Sequence, residues 1–137
     1  YTADLPMTQN TTTGTFADDT AILSSHENPQ IASDYIQTHL FELQQWLNKW
    51  KIKVNENKSV HVTFALRKQL CPAVVINNVQ IPQMETTKYL GLHLDNKLTW
   101  KEHIKKKKKQ IDIKARELNW LIGRKSSLST ENKILIY

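Results

Sequence analysis

The spacing of apolar residues between positions 36 and 50 limits the fold of this chain more than any other feature. These residues recur at alternating steps of four and three, which is the repeat of one face of an α-helix. Asn28 and Pro29 precede them, and these residue types are favoured at the cap and at the first position of a helix. We therefore expect a helix of about 20 residues that ends near residue 51 and buries the stripe. The stripe consists of Ile36, Leu40, Leu43, Leu47 and Trp50.

Two pairs of short β-prone runs flank this helix. Residues 12–24 contain two runs that meet at Asp18 and Asp19, which predicts a hairpin with two carboxylates at its tip. Residues 74–81 contain two more, and these meet at a pair of asparagines that tolerate left-handed conformations. A second hairpin is therefore expected after the helix.

Two further segments have the two-residue period of single strands. Residues 60–64 alternate apolar and polar side chains, which predicts a half-buried strand. Residues 88–95 place three leucines on one face, so they predict another strand. The fold class expected from all these segments is α+β, with antiparallel strands packed on a helix.

A second long helix is predicted after the last strand. Thr99 and Glu102 have the spacing of a capping box, and Gly123 is of the type favoured just beyond a helix end. Ser129 predicts the cap of a final helix that continues to the end of the sequence.

Positive charge is concentrated in one region of the chain. The net charge is +6, but residues 1–96 contain 7 basic and 9 acidic residues, whereas residues 97–125 contain 11 basic and 3 acidic ones. A concentrated positive field indicates a polyanionic partner, with nucleic acid as the first candidate and an anionic membrane surface as the second.

The centre of this basic region is a run of five lysines. Five consecutive side chains on a helix point in every direction, so this turn must project into solvent or toward a polyanion. A solvated surface is the ordinary interpretation of such a run, but Trp100 and Trp120 lie near its ends. Basic residues interleaved with aromatic ones are typical of a surface that follows a nucleic-acid backbone. The basic residues assigned to this surface are Lys101, Lys105, Lys106, Lys107, Lys108, Lys109 and Arg116.

The adjacent acids Asp18 and Asp19 are the candidate metal ligands. Two neighbouring carboxylates repel each other unless solvent or a cation compensates their charge. A solvated surface turn is the common explanation for such a pair. Mg²⁺ is the expected cation if the pair is functional, because it prefers one or two carboxylates plus water and phosphate oxygens. Mn²⁺ is the second choice.

Other classes of site lack support in the sequence. The single Cys71 leaves no partner for an internal disulfide and indicates an intracellular setting, without separating nucleus from cytoplasm. No apolar run approaches the roughly 20 residues that span a bilayer. No two histidines have the spacing of metal ligands, and there is neither a glycine-rich phosphate loop nor a Gly-x-Ser-x-Gly elbow.

The order of these segments resembles the second half of a reverse transcriptase palm followed by the start of a thumb. More narrowly, it is similar to the polymerase of jockey-like non-LTR retrotransposons. Residues 16–19, Phe-Ala-Asp-Asp, resemble the aromatic-x-Asp-Asp catalytic motif of that family. Residues 50–59 resemble the next motif and residues 88–95 the primer-grip strand, while Leu98-Thr99-Trp100 and the lysine-rich helix are similar to the start of the thumb.

The resemblance implies a reaction and roles for individual residues. Residues 1–96 would be the C-terminal part of the palm and residues 97–137 a basic helical segment of the thumb. The implied reaction is the templated addition of deoxynucleotides to a primer 3′ end with two metal ions. Asp18 is the expected direct metal ligand and Asp19 a secondary one, and Lys58 is a candidate general acid or triphosphate contact.

The resemblance also implies binding partners. Tyr89, Leu90 and Gly91 would hold the primer end, and the lysine run would follow the backbone of the template and primer. The expected partners are an RNA template, a DNA primer, deoxynucleoside triphosphates and the remainder of the polymerase chain, with no membrane partner.

Parts of the family's site are missing from these 137 residues. That site needs an aspartate from an earlier palm strand and fingers that hold the nucleotide, but only fifteen residues precede Phe16. We therefore expect a fragment, truncated at both ends, that is inactive by itself. The alternative is a non-catalytic basic nucleic-acid-binding module in which the two aspartates form a solvated turn. A third interpretation is that the basic helix binds an anionic membrane or a protein.

Overall fold

The computed structural model describes residues 4–66 and 71–136. The chain divides into two compact units, Tyr1–Thr87 and Lys88–Tyr137. Helices are combined with small antiparallel strand pairs, so the α+β class is confirmed. The predicted boundary between palm and thumb at residue 96 concerns subdomains of the family and stays a prediction.

The first unit begins with the predicted acidic hairpin. Strands β1 (Thr12–Phe16) and β2 (Asp19–Leu23) pair antiparallel, with Phe16 opposite Asp19. Two residues therefore form the whole turn, and the first of them, Ala17, has a φ of 52°.

Helix α1 (Pro29–Trp50) confirms the prediction from the apolar stripe. The side chain of Asn28 caps it by accepting a hydrogen bond of 2.9 Å from the Gln30 amide, and Pro29 occupies the first turn. The helix ends at Lys51, whose φ of 55° turns the chain out of the helical direction. Leu43 and Leu47 of the stripe are buried, whereas Trp50 at its end is 43% exposed.

The second hairpin supplies much of the apolar core. Strands β3 (Val75–Ile76) and β4 (Val79–Gln80) are joined by two asparagines with φ values of 50° and 61°, which confirms that turn. Val74, Ile76 and Ile81 are buried and pack against the stripe of α1. The side-chain amide of Gln37 adds two bonds to the Val75 backbone, donating to its carbonyl at 2.9 Å and accepting from its amide at 2.8 Å.

The predicted strand over residues 60–64 is wrong. This segment forms only an isolated bridge between His61 and Gln83, with backbone bonds from the His61 amide to the Pro82 carbonyl and from the Met84 amide to the His61 carbonyl. Pro82 has no amide hydrogen to donate, so the pairing cannot extend on the N-terminal side of this bridge. Before it, Glu56–Lys58 forms a single 3₁₀ turn.

The predicted continuous strand over residues 88–95 is also wrong. The segment is a hairpin of β5 (Thr86–Tyr89) and β6 (Leu92–Asp95), and the boundary between the two compact units falls within β5. Leu90 and Gly91 have φ values of 46° and 80°. Two successive left-handed residues reverse the chain in a tight hairpin turn, which the alternation of leucines does not reveal.

Helix α2 (Lys101–Ile122) follows, but its predicted cap is wrong. The cap residue is Trp100, with a φ of 62°, and its side chain makes no capping bond. The junction is held instead by Asp95, whose carboxylate accepts bonds from the amides of Lys97, Thr99 and Trp100 and from the Thr99 hydroxyl at 3.0–3.1 Å. These hydrogen bonds, the amide of Thr99 foremost, hold the pKa of Asp95 below its usual value.

The end of α2 and the last helix agree with prediction. Gly123 follows the final residue of α2, and α3 (Thr130–Ile136) starts after Ser129, whose hydroxyl accepts a bond of 3.2 Å from the Asn132 amide.

The apolar side of α2 is exposed in the described part of the chain. None of its residues is buried, and Ile104, Ile111 and Trp120 are 62%, 66% and 76% exposed. Among the helices that the structure describes, none is both long and apolar enough to span a bilayer.

Candidate functional site

Asp18 and Asp19 lie at the tip of the β1–β2 hairpin. Asp18 is the second turn residue and Asp19 the first residue of β2, and both are exposed. Across residues 4–66 and 71–136, neither carboxylate has a hydrogen bond or an ion pair. Both side chains are therefore available to a ligand from solvent.

The hairpin is fixed to α1 by His39, a residue that sequence reasoning did not select. Its ring is fully buried and is surrounded by three threonine hydroxyls from the segment that leads into and forms β1. Nδ1 lies 3.0 Å from the hydroxyl of Thr8 and 2.8 Å from that of Thr11, and Nε2 lies 3.3 Å from that of Thr13. Burial lowers the pKa of His39, although Glu42 opposes this effect, so the ring favours its neutral form.

A second contact holds the other strand of the hairpin. The hydroxyl of Ser24, directly after β2, donates a hydrogen bond of 2.8 Å to the carbonyl of Ala32 in the first turn region of α1. Both ends of the hairpin are thus attached to one helix, which positions the acidic tip on a supported element rather than on a free loop.

The donor set at the tip fits part of a Mg²⁺ shell. Carboxylate oxygens are the hard ligands that this ion prefers, and it commonly uses one or two of them with water and phosphate oxygens. Among the residues that the structure describes, no group of three or more His, Cys, Asp or Glu side chains is placed to hold a metal ion. The tip therefore offers two adjacent ligands, and the further aspartate implied by the family resemblance stays a prediction.

Lys58 is the last residue of the 3₁₀ turn Glu56–Lys58 and is exposed. Its ammonium group has no ion pair in the described part of the chain. Residues 4–66 and 71–136 place no carboxylate within ion-pair distance of it, so its role stays a prediction.

The residues predicted to hold the primer end form the tip of the β5–β6 hairpin. Tyr89 is half-buried at the end of β5, whereas Leu90 is 46% exposed in the turn. A Cβ added at Gly91 would have no atom within 4 Å, so a side chain would not clash there. Glycine is favoured at this position because the φ of 80° is a backbone conformation that other residues rarely adopt. The tip therefore presents an apolar side chain and bare backbone to solvent.

The basic residues of α2 are all exposed. The single ion pair among the described residues joins Lys114 to Glu117 at 2.8 Å, so the other cations of α2 have no carboxylate partner there. A helix with this many unpaired cations has a strong positive potential along its surface. The exposed residues that were predicted for this surface are Lys101, Lys105, Lys106, Lys107, Lys108, Lys109 and Arg116.

Comparison with known protein families shows which family the chain belongs to. A family model described as reverse transcriptase (RNA-dependent DNA polymerase) matches residues 2–94. The chain belongs to the reverse transcriptase family. The matched range contains the acidic hairpin, α1 and all but the last residue of the β5–β6 hairpin.

The curated relatives are polymerases of mobile elements. The segment is 35% identical over 146 residues to the RNA-directed DNA polymerase from mobile element jockey of Drosophila funebris, covering 100% of this chain and 16% of that protein. It is 37% identical over 123 residues to the jockey polymerase of Drosophila melanogaster, covering 90% of this chain and 13% of that protein. The probable RNA-directed DNA polymerase from transposon X-element of Drosophila melanogaster is 33% identical over 142 residues, covering 100% of this chain and 16% of that protein.

These matches confirm the resemblance to non-LTR retrotransposon reverse transcriptases of the jockey type. The chain spans about one sixth of the length of the curated relatives that it matches. No solved structure matches it.

Two residues that support the site, His39 and Asp95, were not selected from the sequence, and only the first of them could have been. His39 lies at helical spacing between Ile36 and Leu43, and a polar residue on an apolar stripe signals a buried hydrogen-bonding role. Asp95 gave no comparable signal, because its partners are backbone amides whose positions depend on the loop it organises.

Proposed function

We propose that this segment contributes the aspartate pair of the metal site, the primer grip and a template-primer-binding helix to the RNA-directed DNA polymerase of a non-LTR retrotransposon. The observation that carries the proposal is the exposed pair Asp18 and Asp19, without protein partners in the described residues, at the tip of a hairpin attached to α1 at both ends. Residues 16–19 at this tip resemble the aromatic-x-Asp-Asp motif of the family and lie within the range that the family model matches.

Asp18 would hold the metal directly and Asp19 would be a secondary ligand. When bound, divalent metal ions lower the barrier by activating the primer 3′ hydroxyl and by neutralising the leaving pyrophosphate. The part of this chain is to hold carboxylate oxygens in position. His39 and Ser24 support that position through the two attachments to α1.

The β5–β6 hairpin would hold the primer end through Tyr89, Leu90 and Gly91. An exposed apolar side chain beside bare backbone can pack on a sugar or base while the amide groups approach closely. The basic residues of α2 would bind the phosphate backbone of the RNA template and DNA primer without regard to sequence.

Lys58 is proposed as a triphosphate contact or general acid, since its ammonium group is exposed and has no acidic partner in the described part of the chain. The remaining ligand aspartate, the fingers and the deoxynucleotide pocket would come from other parts of the polymerase. The 137-residue segment is therefore expected to be inactive when assayed alone.

The direct test uses the full-length jockey polymerase of Drosophila melanogaster with this segment in place of its matching one. Asp18→Asn should reduce Mg²⁺-dependent deoxynucleotide incorporation by about 1,000-fold or more, because it removes a charged ligand from the metal site. The matched control is Asp34→Asn, which changes an exposed aspartate on α1 and should leave incorporation within about twofold.

The same experiment separates the rival function. In a non-catalytic nucleic-acid-binding module, Asp18→Asn would leave both binding and incorporation unchanged. Retained primer-template binding with lost incorporation supports the polymerase assignment, and retained incorporation contradicts it.

Metal binding has a readout that does not depend on activity. Mn²⁺ added to the 137-residue chain should broaden the NMR signals of the β1–β2 turn before those of other exposed carboxylates, because two adjacent acids attract the ion more strongly than one. Asp18→Asn should remove this preference, whereas Asp34→Asn should not. Equal broadening at Asp18 and Asp34 in the unsubstituted chain would contradict a metal site at the tip.

A further inference from the structure

A small cleft lies between the β5–β6 hairpin and the middle of α2, entirely within the second compact unit. Its volume is about 160 Å³, many times the space that one water needs. We call it the hairpin cleft. Its lining residues are Lys88, Gly91, His93, Lys106, Lys107 and Gln110.

The hairpin cleft is lined by three lysines and by no acid. In the described residues none of these lysines forms an ion pair with a carboxylate, because the single ion pair there joins Lys114 and Glu117. Three unpaired cations around one cleft repel each other, so an anion that enters it would be attracted by all three. Gly91 leaves one wall without a side chain, which permits close approach to backbone.

One of these lysines has a histidine, His93, rather than a carboxylate as its hydrogen-bond partner. The ammonium nitrogen of Lys106 lies 3.1 Å from Nδ1 of His93. An ammonium group can only donate hydrogen bonds, so Nδ1 must be the acceptor and the ring must be neutral with its proton on Nε2.

The surroundings of His93 disfavour a charged ring. Partial burial lowers the pKa of His93, and nearby positive groups lower it further. The ring of His103 is also close, with its Nδ1 3.2 Å from the His93 amide, which donates to it. The charged or titratable groups that face His93 are Lys106, Lys88, His103 and Lys107.

We propose that the hairpin cleft binds a backbone phosphate of nucleic acid and that binding is coupled to the uptake of one proton at His93. The anion would accept hydrogen bonds from Lys106, which then no longer donates to Nδ1. The free lone pair on Nδ1 takes a proton from solvent, and the resulting imidazolium adds one positive charge beside the anion. The identity of the anion as nucleic acid rests on the proposed function, whereas the anion site itself does not.

The first test is a sulfate titration of the 137-residue chain, followed by NMR of the histidine rings at pH 5.5 and pH 8.0. Sulfate keeps its two negative charges over this range, so a pH dependence must come from the protein. Because coupling between two bound ligands is reciprocal, we expect sulfate to bind about 3- to 10-fold more tightly at pH 5.5 and to move the titration of His93 to higher pH. Equal affinity at both pH values overturns the coupling.

Matched substitutions locate the effect. Replacement of Lys106 and Lys107 by methionine should weaken sulfate binding about 10-fold or more, since it removes two of the three cations. The same replacement of Lys97 and Lys125 changes the charge of the same compact unit equally, but these residues do not line the hairpin cleft, so affinity should change by less than about twofold. Equal loss in the two double variants would mean that sulfate responds only to net charge and overturns the site.

Substitution of the histidine tests the proton uptake separately. His93→Gln should retain sulfate binding at pH 8.0 and lose the pH dependence, while His26→Gln, in the other compact unit, should keep both. If His93→Gln keeps the pH dependence, another group titrates and the inference fails.

Competition identifies the natural anion. A short RNA–DNA heteroduplex should displace sulfate from the cleft at lower concentration than a deoxynucleoside triphosphate does, because it adds contacts along α2. The reverse order would assign the cleft to free phosphate groups and overturn the backbone assignment. Since neither outcome depends on Asp18, failure here leaves the polymerase proposal standing, and failure of that proposal leaves the sulfate results standing.

Discussion

At the residue scale, the tips of the β1–β2 and β5–β6 hairpins each contain a non-glycine residue with a positive φ. Ala17 precedes the aspartate pair with a φ of 52°, and Leu90 lies in the other tip with a φ of 46°. A left-handed conformation costs a residue with a side chain about 1 kcal/mol. Neither position uses glycine, and such costs concentrate where a backbone shape serves a site. We interpret both as the cost of presenting Asp18 and the residues proposed for the primer grip at a tight turn.

Ala17→Gly tests this interpretation. Because glycine adopts positive φ readily, the substitution should stabilise the chain by about 0.5–1 kcal/mol in chemical denaturation. Ala21→Gly is the matched control within β2, where an extended residue loses conformational entropy, and it should destabilise by about the same amount. Destabilisation by both substitutions would show that Ala17 is not strained.

These positions also show what could and could not be predicted from the sequence. Asn28, Pro29 and the asparagine turn of the second hairpin were predictable, because each residue type favours its local conformation without help from the rest of the chain. Leu90 could not be predicted as a turn residue, since its side chain continues an apolar alternation and its φ is imposed by the pairing of β5 with β6. The Asp95 carboxylate replaced the expected Thr99 cap for a similar reason, because it satisfies amides across the junction that a local pattern does not show.

At the scale of elements, the acidic hairpin depends on a buried neutral histidine. His39 joins β1 and the preceding turn to α1 through three threonine hydroxyls. Burial lowers the pKa of His39 and also that of His61. The unfolded chain, where histidine titrates near pH 6.5, therefore binds more protons than the folded chain as the pH falls below that value.

The unfolding free energy should consequently be fully maintained above about pH 6.5 and fall as the pH decreases toward 5. His39→Gln should cost about 1–2 kcal/mol at pH 7.5 through weaker hydrogen bonds, and it should reduce the fall between pH 7.5 and 5.0. His61 and His93, whose pKa values are also lowered, would sustain the remaining fall. Denaturation monitored by circular dichroism at both pH values measures this, with the exposed His26→Gln as control. An unchanged pH dependence in His39→Gln would contradict a neutral buried ring.

At the scale of the whole molecule, the two compact units differ in net charge. Six basic and eight acidic residues precede Lys88, whereas thirteen basic and five acidic residues follow from Lys88 onward. The unit that carries the aspartate pair is therefore slightly acidic, and the unit that carries α2 is strongly basic. Binding of a polyanion should involve the second unit and should depend on salt through the release of counterions.

Affinity for an RNA–DNA heteroduplex should fall about 500-fold between 50 and 200 mM KCl if five phosphates are contacted, given a slope of roughly −0.9 per phosphate. Lys108→Met should reduce this slope by about one, because one phosphate contact is lost. Lys53→Met removes an exposed lysine of the first unit and should leave the slope unchanged. Fluorescence anisotropy with a labelled heteroduplex measures both slopes, and equal reductions would contradict binding through α2.

The central claim is that Asp18 holds a catalytic metal ion in a polymerase, and single-turnover incorporation of one deoxynucleotide tests it most directly. In the full-length jockey polymerase that carries this segment, Asp18→Asn should abolish incorporation at saturating primer-template and nucleotide, with heteroduplex affinity within about threefold of the unsubstituted enzyme. Incorporation at an undiminished rate in that variant would contradict the claim.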